Sequence, residues 1–139
     1  MKSVVIIPAR YASKRLPAKA LKIIGNKTLI NHVWNRAKEA NIGPVFIATD
    51  NDLIAENARE FGAEVLMTSP DCKTGSDRVA QALKRCLVDY DAIINVQGDL
   101  PFVSSKEIVK VLEPLKKGYD IGTLISCMEE ERKLDPSCV

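Results

Sequence analysis

Residues 4–19 read VVIIPARYASKRLPAK, an apolar run followed by a basic segment. The β-branched run Val4–Ile7 stops at Pro8, which predicts a buried strand that ends in a loop. In open α/β sheets, the loops at the carboxyl ends of the strands bind ligands. This loop, residues 10–19 and hereafter the basic loop, contains no acidic residue and four cations: Arg10, Lys14, Arg15 and Lys19. Such a concentration of positive charge favours a small polyanion, for example a nucleoside triphosphate.

The rest of the chain alternates apolar strands with amphipathic helices. Further strands are predicted at Val45–Ala48, Glu64–Met67, Ala92–Val96 and Ile121–Cys127. Helical spacing of apolar residues predicts helices around Leu29–Ala37, Ile54–Phe61, Val79–Cys86 and Ile108–Leu115. We expect Pro114 to kink or shorten the last of these helices. Strands that alternate with helices predict an α/β fold with three layers (α/β/α) and a mostly parallel sheet.

Composition limits the class of protein. The 139 residues fit one α/β domain spanning 1–139. A formal net charge of +2 is too small to indicate nucleic acid or a membrane as a partner. The four cysteines lack metal-binding spacing and the sequence shows neither a signal peptide nor a membrane span, so we expect free thiols and a cytoplasmic location.

A second polar segment, Asn95-Val96-Gln97-Gly98-Asp99, follows the strand predicted at Ala92–Val96. Gly98 allows a sharp turn that would present Asp99 to the same sheet edge as the basic loop. Magnesium is usually held by one or two carboxylates together with substrate phosphates, so Asp99 is a candidate metal ligand. An ordinary turn aspartate is the alternative. Gln97 could offer its amide to the edge of a nucleotide base.

A third segment, Lys73-Thr74-Gly75-Ser76-Asp77-Arg78, begins a predicted helix. Either Thr74 or Ser76 would cap that helix, and Asp77 would lie favourably at the positive end of its dipole. The same helix start, together with Arg78, could hold a base or a phosphate. The sequence leaves the structural and the binding role open. The basic loop itself contains neither a P-loop nor a GxGxxG pattern, which disfavours the folds that use them.

Taken together, the segments resemble the family of 3-deoxy-D-manno-octulosonate (Kdo) cytidylyltransferases. The resemblance rests on four matching stretches in the right order: residues 5–17, Ala48-Thr49-Asp50, residues 74–78 and residues 95–99. It implies the Rossmann-like nucleotide-diphospho-sugar transferase fold. It also implies transfer of CMP from CTP to Kdo with Mg²⁺ as cofactor, giving CMP-Kdo and pyrophosphate for lipopolysaccharide biosynthesis.

The resemblance also implies roles for individual residues. Four residues of the basic loop would hold the triphosphate of CTP: Arg10, Ser13, Arg15 and Lys19. Three residues would contact the cytidine: Ala9, Arg78 and Gln97. Asp99 would bind Mg²⁺, and the residues expected to act in catalysis are Arg15, Lys19 and Asp99.

Some features depart from the family pattern. Ala18 and Ala20 stand where the family usually has glycine and proline, and Leu100 stands where it usually has glutamate. The chain is also short for the family, so the C-terminal part, with a second metal ligand, most sugar-acid contacts and the homodimer interface, is expected to be absent. Two alternatives remain open from sequence: a cytidylyltransferase for another sugar acid, such as sialic acid, and a non-catalytic nucleotide-binding fragment.

Overall fold

A computed structural model describes residues 1–13 and 15–125 of the chain. In chain order the elements are β1 (Ser3–Ala9), a 3₁₀ turn (Lys19–Leu21), β2 (Ile23–Ile24), β3 (Lys27–Thr28), α1 (Leu29–Ala40), β4 (Val45–Thr49), α2 (Asp52–Glu60), β5 (Glu64–Met67), α3 (Gly75–Leu83), β6 (Ala92–Asn95), α4 (Ser105–Lys110) and α5 (Leu112–Lys116). The predicted alternation of strands and helices is therefore confirmed from β1 to α4.

Four strands form the main sheet in the order β5-β4-β1-β6. All neighbouring pairs are parallel, with Ala9 opposite Thr49 and Ile6 opposite Asn95. The carboxyl ends of β1, β4 and β6 therefore meet at one edge, where the segments that follow these strands converge. The short β2–β3 pair is antiparallel and forms a separate ribbon.

Alternate residues of β1 supply the two faces of the core, as the two-residue period of a strand requires. Val5 and Ile7 pack in one cluster with residues of α1, α2, α4 and α5. Val4 and Ile6 pack in a second cluster with Val79 and Ala82 of α3. Helices thus cover both faces of the parallel sheet, and the predicted three-layer α/β/α arrangement is confirmed.

The last helical segment shows the expected effect of proline. Helix α4 is capped by Ser104 and Glu107, whose side chains reciprocally bond the backbone N–H groups of each other. It ends at Lys110, the residue whose carbonyl would clash with the ring of Pro114 if the helix continued. Helix α5 then resumes at Leu112 and accommodates the proline in its first turn.

Two predicted features are wrong in the described part of the chain. The strand predicted over Ile121–Cys127 is absent from 121–125, because these residues pair with no strand of the sheet; its remaining positions lie outside the described residues. Ile121 and Ile125 are instead 85% and 94% exposed. Helix α3 ends at Leu83, so Cys86 lies beyond it and is only half-buried. None of the helices in the described ranges combines the length and the apolar character that a bilayer crossing demands.

Candidate functional site

A cavity of about 230 Å³ opens at the carboxyl edge of the main sheet. Its walls come from the end of β1, the basic loop, the start of α3 and the segment after β6. The lining residues are Pro8, Ala9, Arg10, Ser13, Lys19, Ala20, Cys72, Lys73, Thr74, Gly75, Arg78, Gln97, Gly98 and Asp99. The three polar segments singled out in the sequence therefore share one cavity.

The basic loop contributes cations that remain accessible to a ligand. Arg10 is exposed and lines the cavity, as does Lys19, whose side chain is 40% exposed. Arg15 is exposed but is not among the lining residues, so the structure does not bring it to the cavity wall. Lys14 lies outside the described residues. The loop turns at Ala18, which adopts the left-handed conformation with φ 54° and directs the chain into the 3₁₀ turn that holds Lys19.

Asp99 reaches the cavity because Gly98 allows a close approach of two backbones. A Cβ at position 98 would lie 2.8 Å from the carbonyl oxygen of Pro8, so only glycine fits. The Asp99 side chain is 54% exposed, and its Oδ2 lies 3.2 Å from the Nζ of Lys19. Across residues 1–13 and 15–125, no cluster of three or more metal-ligating side chains occurs. Asp99 is thus a single carboxylate at the mouth of the cavity.

The first turn of α3 forms the opposite wall. Thr74 is the cap: its hydroxyl accepts a hydrogen bond from the N–H of Asp77 at 3.0 Å, and the Asp77 carboxylate accepts one from the N–H of Thr74 at 3.0 Å. The expectation that Thr74 or Ser76 caps the helix is therefore settled in favour of Thr74. Lys73, Thr74 and Gly75 face the cavity, which places the positive end of the helix dipole there.

Arg78 is the most buried charged residue of the site, with 3% of its surface exposed. Its Nη1 donates to the hydroxyl of Thr68 at 2.6 Å and to the carbonyl of Ser69 at 3.5 Å. Its Nη2 lies 3.3 Å from Oδ2 of Asp50. Arg78 is therefore a fixed, ion-paired part of the cavity wall rather than a mobile surface cation.

Gln97 lies on the same wall as α3. Its Nε2 donates to Oδ1 of Asn95 at 3.0 Å, which orients the amide. A Cβ at Gly75 would lie 3.1 Å from the Gln97 Oε1, so the start of α3 and the amide of Gln97 are in close contact. The residue expected to select a base is thus held from two sides.

Sequence reasoning did not assign roles to several residues that build this site. Asp50 and Thr68 follow β4 and β5 directly and anchor Arg78, although neither is among the lining residues. Cys72 and Ala20 line the cavity. The match of Ala48-Thr49-Asp50 to a family motif was the one signal that could have drawn attention to Asp50.

Known proteins resemble this chain in sequence and in fold. A family model described as "Cytidylyltransferase" matches residues 4–137. A 3-deoxy-manno-octulosonate cytidylyltransferase from Bartonella tribocorum is 45% identical over 143 aligned positions, which cover 100% of this chain and 59% of the relative. The corresponding enzyme 2 of Hydrogenovibrio crunogenus is 48% identical and covers 86% of this chain and 50% of the relative.

A solved structure of a CMP:2-keto-3-deoxy-manno-octonic acid synthetase complexed with CTP matches with a TM-score of 0.79 and 36% identity. The match covers 84% of this chain and 48% of that protein. The chain thus spans about half the length of the relatives it matches. Since the family model extends over nearly all of its residues and the fold agrees, this chain belongs to the cytidylyltransferase family.

Proposed function

We propose that this chain provides the CTP-binding half of an enzyme that transfers CMP from CTP to Kdo. The observation that carries the proposal is the shared cavity, where Arg10, Lys19, Gln97 and Asp99 converge at the carboxyl ends of parallel strands. Proteins named as Kdo cytidylyltransferases are 42–48% identical to this chain. No specific observation favours sialic acid as the acceptor.

In the proposed reaction a hydroxyl oxygen of the sugar acid attacks the α-phosphorus of CTP. A new P–O bond forms, the bond to the β-phosphate oxygen breaks, and pyrophosphate leaves with that electron pair. The hydroxyl proton is released. Positioning and neutralisation of charge on the phosphates supply most of the acceleration in such transfers. Lys19 and Arg10 line the cavity and are suited to this role, with Ser13 as a neutral donor and Arg15 at the outer edge of the loop.

The donor set at the mouth of the cavity fits a magnesium ion that is carried by the nucleotide. Asp99 is the one carboxylate among the residues lining the cavity, and Mg²⁺ is commonly held by one or two carboxylates plus substrate phosphates and water. We propose that Asp99 is this ligand. When bound, the ion would neutralise developing charge on the phosphate oxygens. Lys19, freed from Asp99, would then be available to a phosphate oxygen.

The base would occupy the other end of the cavity. Gln97 carries both an amide donor and an amide acceptor, the combination that a cytosine edge requires. Ala9 is 5% exposed and ends β1, so its backbone would lie against the nucleoside, and Arg78 would donate from the α3 side. We also propose a cytoplasmic location, since free thiols such as that of Cys72 persist there.

The test has two arms. Calorimetric titration of the chain with CTP, with and without Mg²⁺, measures the proposed binding function directly. Pyrophosphate release with CTP, Mg²⁺ and Kdo is then measured for the chain alone and for the chain joined to the further segment that its relatives possess. We expect weak CTP binding by the chain and turnover only in the joined protein. Absence of CTP binding by the chain, with and without Mg²⁺, would overturn the proposal. Turnover with sialic acid but not Kdo would replace its acceptor.

A further inference from the structure

We propose that Asp50 is a positioning residue that fixes Arg78 and cancels its charge, so that Arg78 recognises the uncharged base of the nucleotide instead of its phosphates. This inference rests on the proposed function, because it assigns a specificity role within the same cavity. Asp50 is not among the cavity-lining residues, so it acts through Arg78 and does not touch the ligand.

The geometry of the guanidinium carries the first part of the argument. Three acceptors from two neighbouring segments hold one side of it: Asp50 Oδ2 at 3.3 Å, Thr68 Oγ1 at 2.6 Å and the Ser69 carbonyl at 3.5 Å. A guanidinium has five N–H groups. The two on Nη1 donate to Thr68 and Ser69, and Nη2 lies within ion-pair distance of Asp50. The N–H groups of Nε and Nη2 remain for a group inside the cavity that Arg78 lines, and the anchors set their direction.

The anchors are themselves rigid. Asp50 follows the last residue of β4, and Thr68 follows the last residue of β5. The two strand ends are joined by a hydrogen bond from the N–H of Thr68 to the carbonyl of Thr49 at 2.8 Å. Because the main sheet fixes both anchors, Arg78 has little freedom to turn toward a phosphate elsewhere in the cavity.

Charge carries the second part of the argument. The ion pair between Arg78 and Asp50 is buried, with 4% and 15% of the two side chains exposed. In such surroundings the carboxylate is screened little and offsets the positive charge seen from the cavity. Arg10 is exposed and Lys19 is 40% exposed, so these residues keep their charge available for phosphates. Arg78 is therefore suited to directional hydrogen bonding, while the basic loop supplies attraction.

The second carboxylate oxygen of Asp50 is also shielded from solvent. Its Oδ1 is buried and has no hydrogen-bond partner among the described residues. Leaving a buried carboxylate oxygen unpaired is unfavourable, so the ion pair with Arg78 is the interaction that accounts for an acid at this position.

The experiment compares a nucleotide with its phosphate chain alone. The wild type, Asp50→Asn, Thr68→Val and the control Asp52→Asn are titrated calorimetrically with CTP and with inorganic tripolyphosphate. Asp52 is an exposed carboxylate in the first turn of α2, outside the cavity lining. Thermal denaturation verifies folding. We expect Asp50→Asn to weaken CTP binding about tenfold, as loss of a buried supporting partner does. Tripolyphosphate should bind as tightly as before, or more tightly because a negative charge is gone.

Thr68→Val removes an acceptor without changing charge, so it should weaken CTP binding selectively even if Asp50→Asn fails to fold. Unchanged CTP binding in the folded variants, or an equal loss for CTP and tripolyphosphate, would overturn the inference. If the wild type binds no CTP, the proposed function fails and this inference falls with it. If the wild type binds CTP and only the selectivity prediction fails, the proposed function stands.

Discussion

The ammonium of Lys19 lies 3.2 Å from the carboxylate of Asp99, so the candidate phosphate ligand and the candidate metal ligand of this site are paired with each other. Both side chains are about half exposed, at 40% and 54%. Exposed ion pairs typically contribute less than about 1 kcal/mol to stability. A nucleotide that brings Mg²⁺ to Asp99 and phosphate to Lys19 would exchange this weak pair for two stronger ones.

The first prediction concerns Asp99→Ala. Since the ion pair is exposed, the free energy of unfolding should change by less than about 0.5 kcal/mol. The increase in CTP affinity caused by Mg²⁺ should disappear, because the one lining carboxylate is gone. Urea denaturation and calorimetry with and without Mg²⁺ measure the two effects. Asp89→Ala, which removes an exposed carboxylate outside the cavity lining, is the control. If Mg²⁺ raises the CTP affinity of Asp99→Ala as much as that of the wild type, Asp99 is not a Mg²⁺ ligand.

The second prediction separates two arginines of the basic loop. Arg10 lines the cavity whereas Arg15 does not, although both are exposed. Arg10→Ala should weaken CTP binding about tenfold through loss of a direct charge-assisted hydrogen bond. Arg15→Ala should weaken it about twofold, and this smaller effect should vanish at about 1 M salt, where charges are screened beyond ~3 Å.

Arg59→Ala, an exposed arginine at the end of α2, serves as the control for net charge in this comparison. An Arg15→Ala loss as large as that of Arg10→Ala, and insensitive to salt, would mean that the basic loop closes over the ligand and brings Arg15 into contact.

The third prediction pairs two glycines of the cavity wall. Alanine at position 98 would meet the carbonyl oxygen of Pro8 at 2.8 Å and Cδ1 of Ile30 at 3.3 Å. Backbone cannot easily move aside, so Gly98→Ala should lower the free energy of unfolding by about 2 kcal/mol. Alanine at position 75 would meet only the side-chain amide of Gln97 and the ring of Pro8, at 3.1 Å or more, and a side chain can shift more easily than backbone.

Gly75→Ala should therefore leave stability nearly unchanged, because alanine also favours the helix, and should instead weaken CTP binding by displacing Gln97. Urea denaturation and CTP titration of both variants provide the measurements. A Gly75→Ala protein with unaltered CTP affinity would exclude Gln97 from base contact.

Much of the fold follows from local sequence pattern. The strand predicted at Glu64–Met67 has the observed bounds. Helix α4 ends at Lys110, four residues before Pro114, as the missing N–H and the ring of proline require. The β2–β3 ribbon was not predicted, because strands of two residues are too short to show alternation and Ile23 is 65% exposed. The strand predicted over Ile121–Cys127 is wrong for residues 121–125, because an apolar run forms a strand only where a neighbouring strand can pair with it.

The site divides in the same way. Residues that lie within a few positions of a strand end, such as Arg10 and Asp99, could be placed at one sheet edge, because parallel strands bring their carboxyl ends together. The anchoring of Arg78 by Asp50 and Thr68 could not be predicted, because it depends on which strands are neighbours and on side-chain direction. Sequence pattern indicates which residues lie at the edge of the sheet, but not which side chains there contact each other.

The fourth prediction concerns pH. Hydrogen bonds from the backbone N–H and then the hydroxyl of Ser104 lower the pKa of Glu107 below its ordinary value. A carboxylate with a lowered pKa in the folded state stabilises the protein above its unfolded pKa, and this contribution is lost as pH falls through the folded pKa. Wild type should therefore be more stable than Glu107→Gln at about pH 7, and this difference should shrink toward about pH 3.

Glu107→Gln retains the shape of the capping side chain and removes only its charge. Urea denaturation at several pH values measures the difference, with Glu56→Gln on the exposed face of α2 as the control. A stability difference for Glu107→Gln that does not vary with pH would exclude the charged capping bond as its source.

The fifth prediction concerns Ala18, which stands where the family usually has glycine. Ala18 adopts φ 54° and ψ 32°, and its N–H donates to the carbonyl of Tyr11 at 3.0 Å. The left-handed conformation costs an alanine about 1 kcal/mol, whereas glycine adopts it freely but loses ~0.5 kcal/mol through greater freedom of the unfolded chain. Ala18→Gly should therefore raise the free energy of unfolding by about 0.5 kcal/mol.

Ala12→Gly is the matched control, since Ala12 lies in the same loop without a positive φ. It should lower the free energy of unfolding by ~0.5 kcal/mol through unfolded-state entropy alone. The two variants should then differ by about 1 kcal/mol in urea denaturation, the cost of the left-handed residue itself. Equal losses in both variants would show that Ala18 carries no backbone strain and that the path of the basic loop into Lys19 differs from the one described.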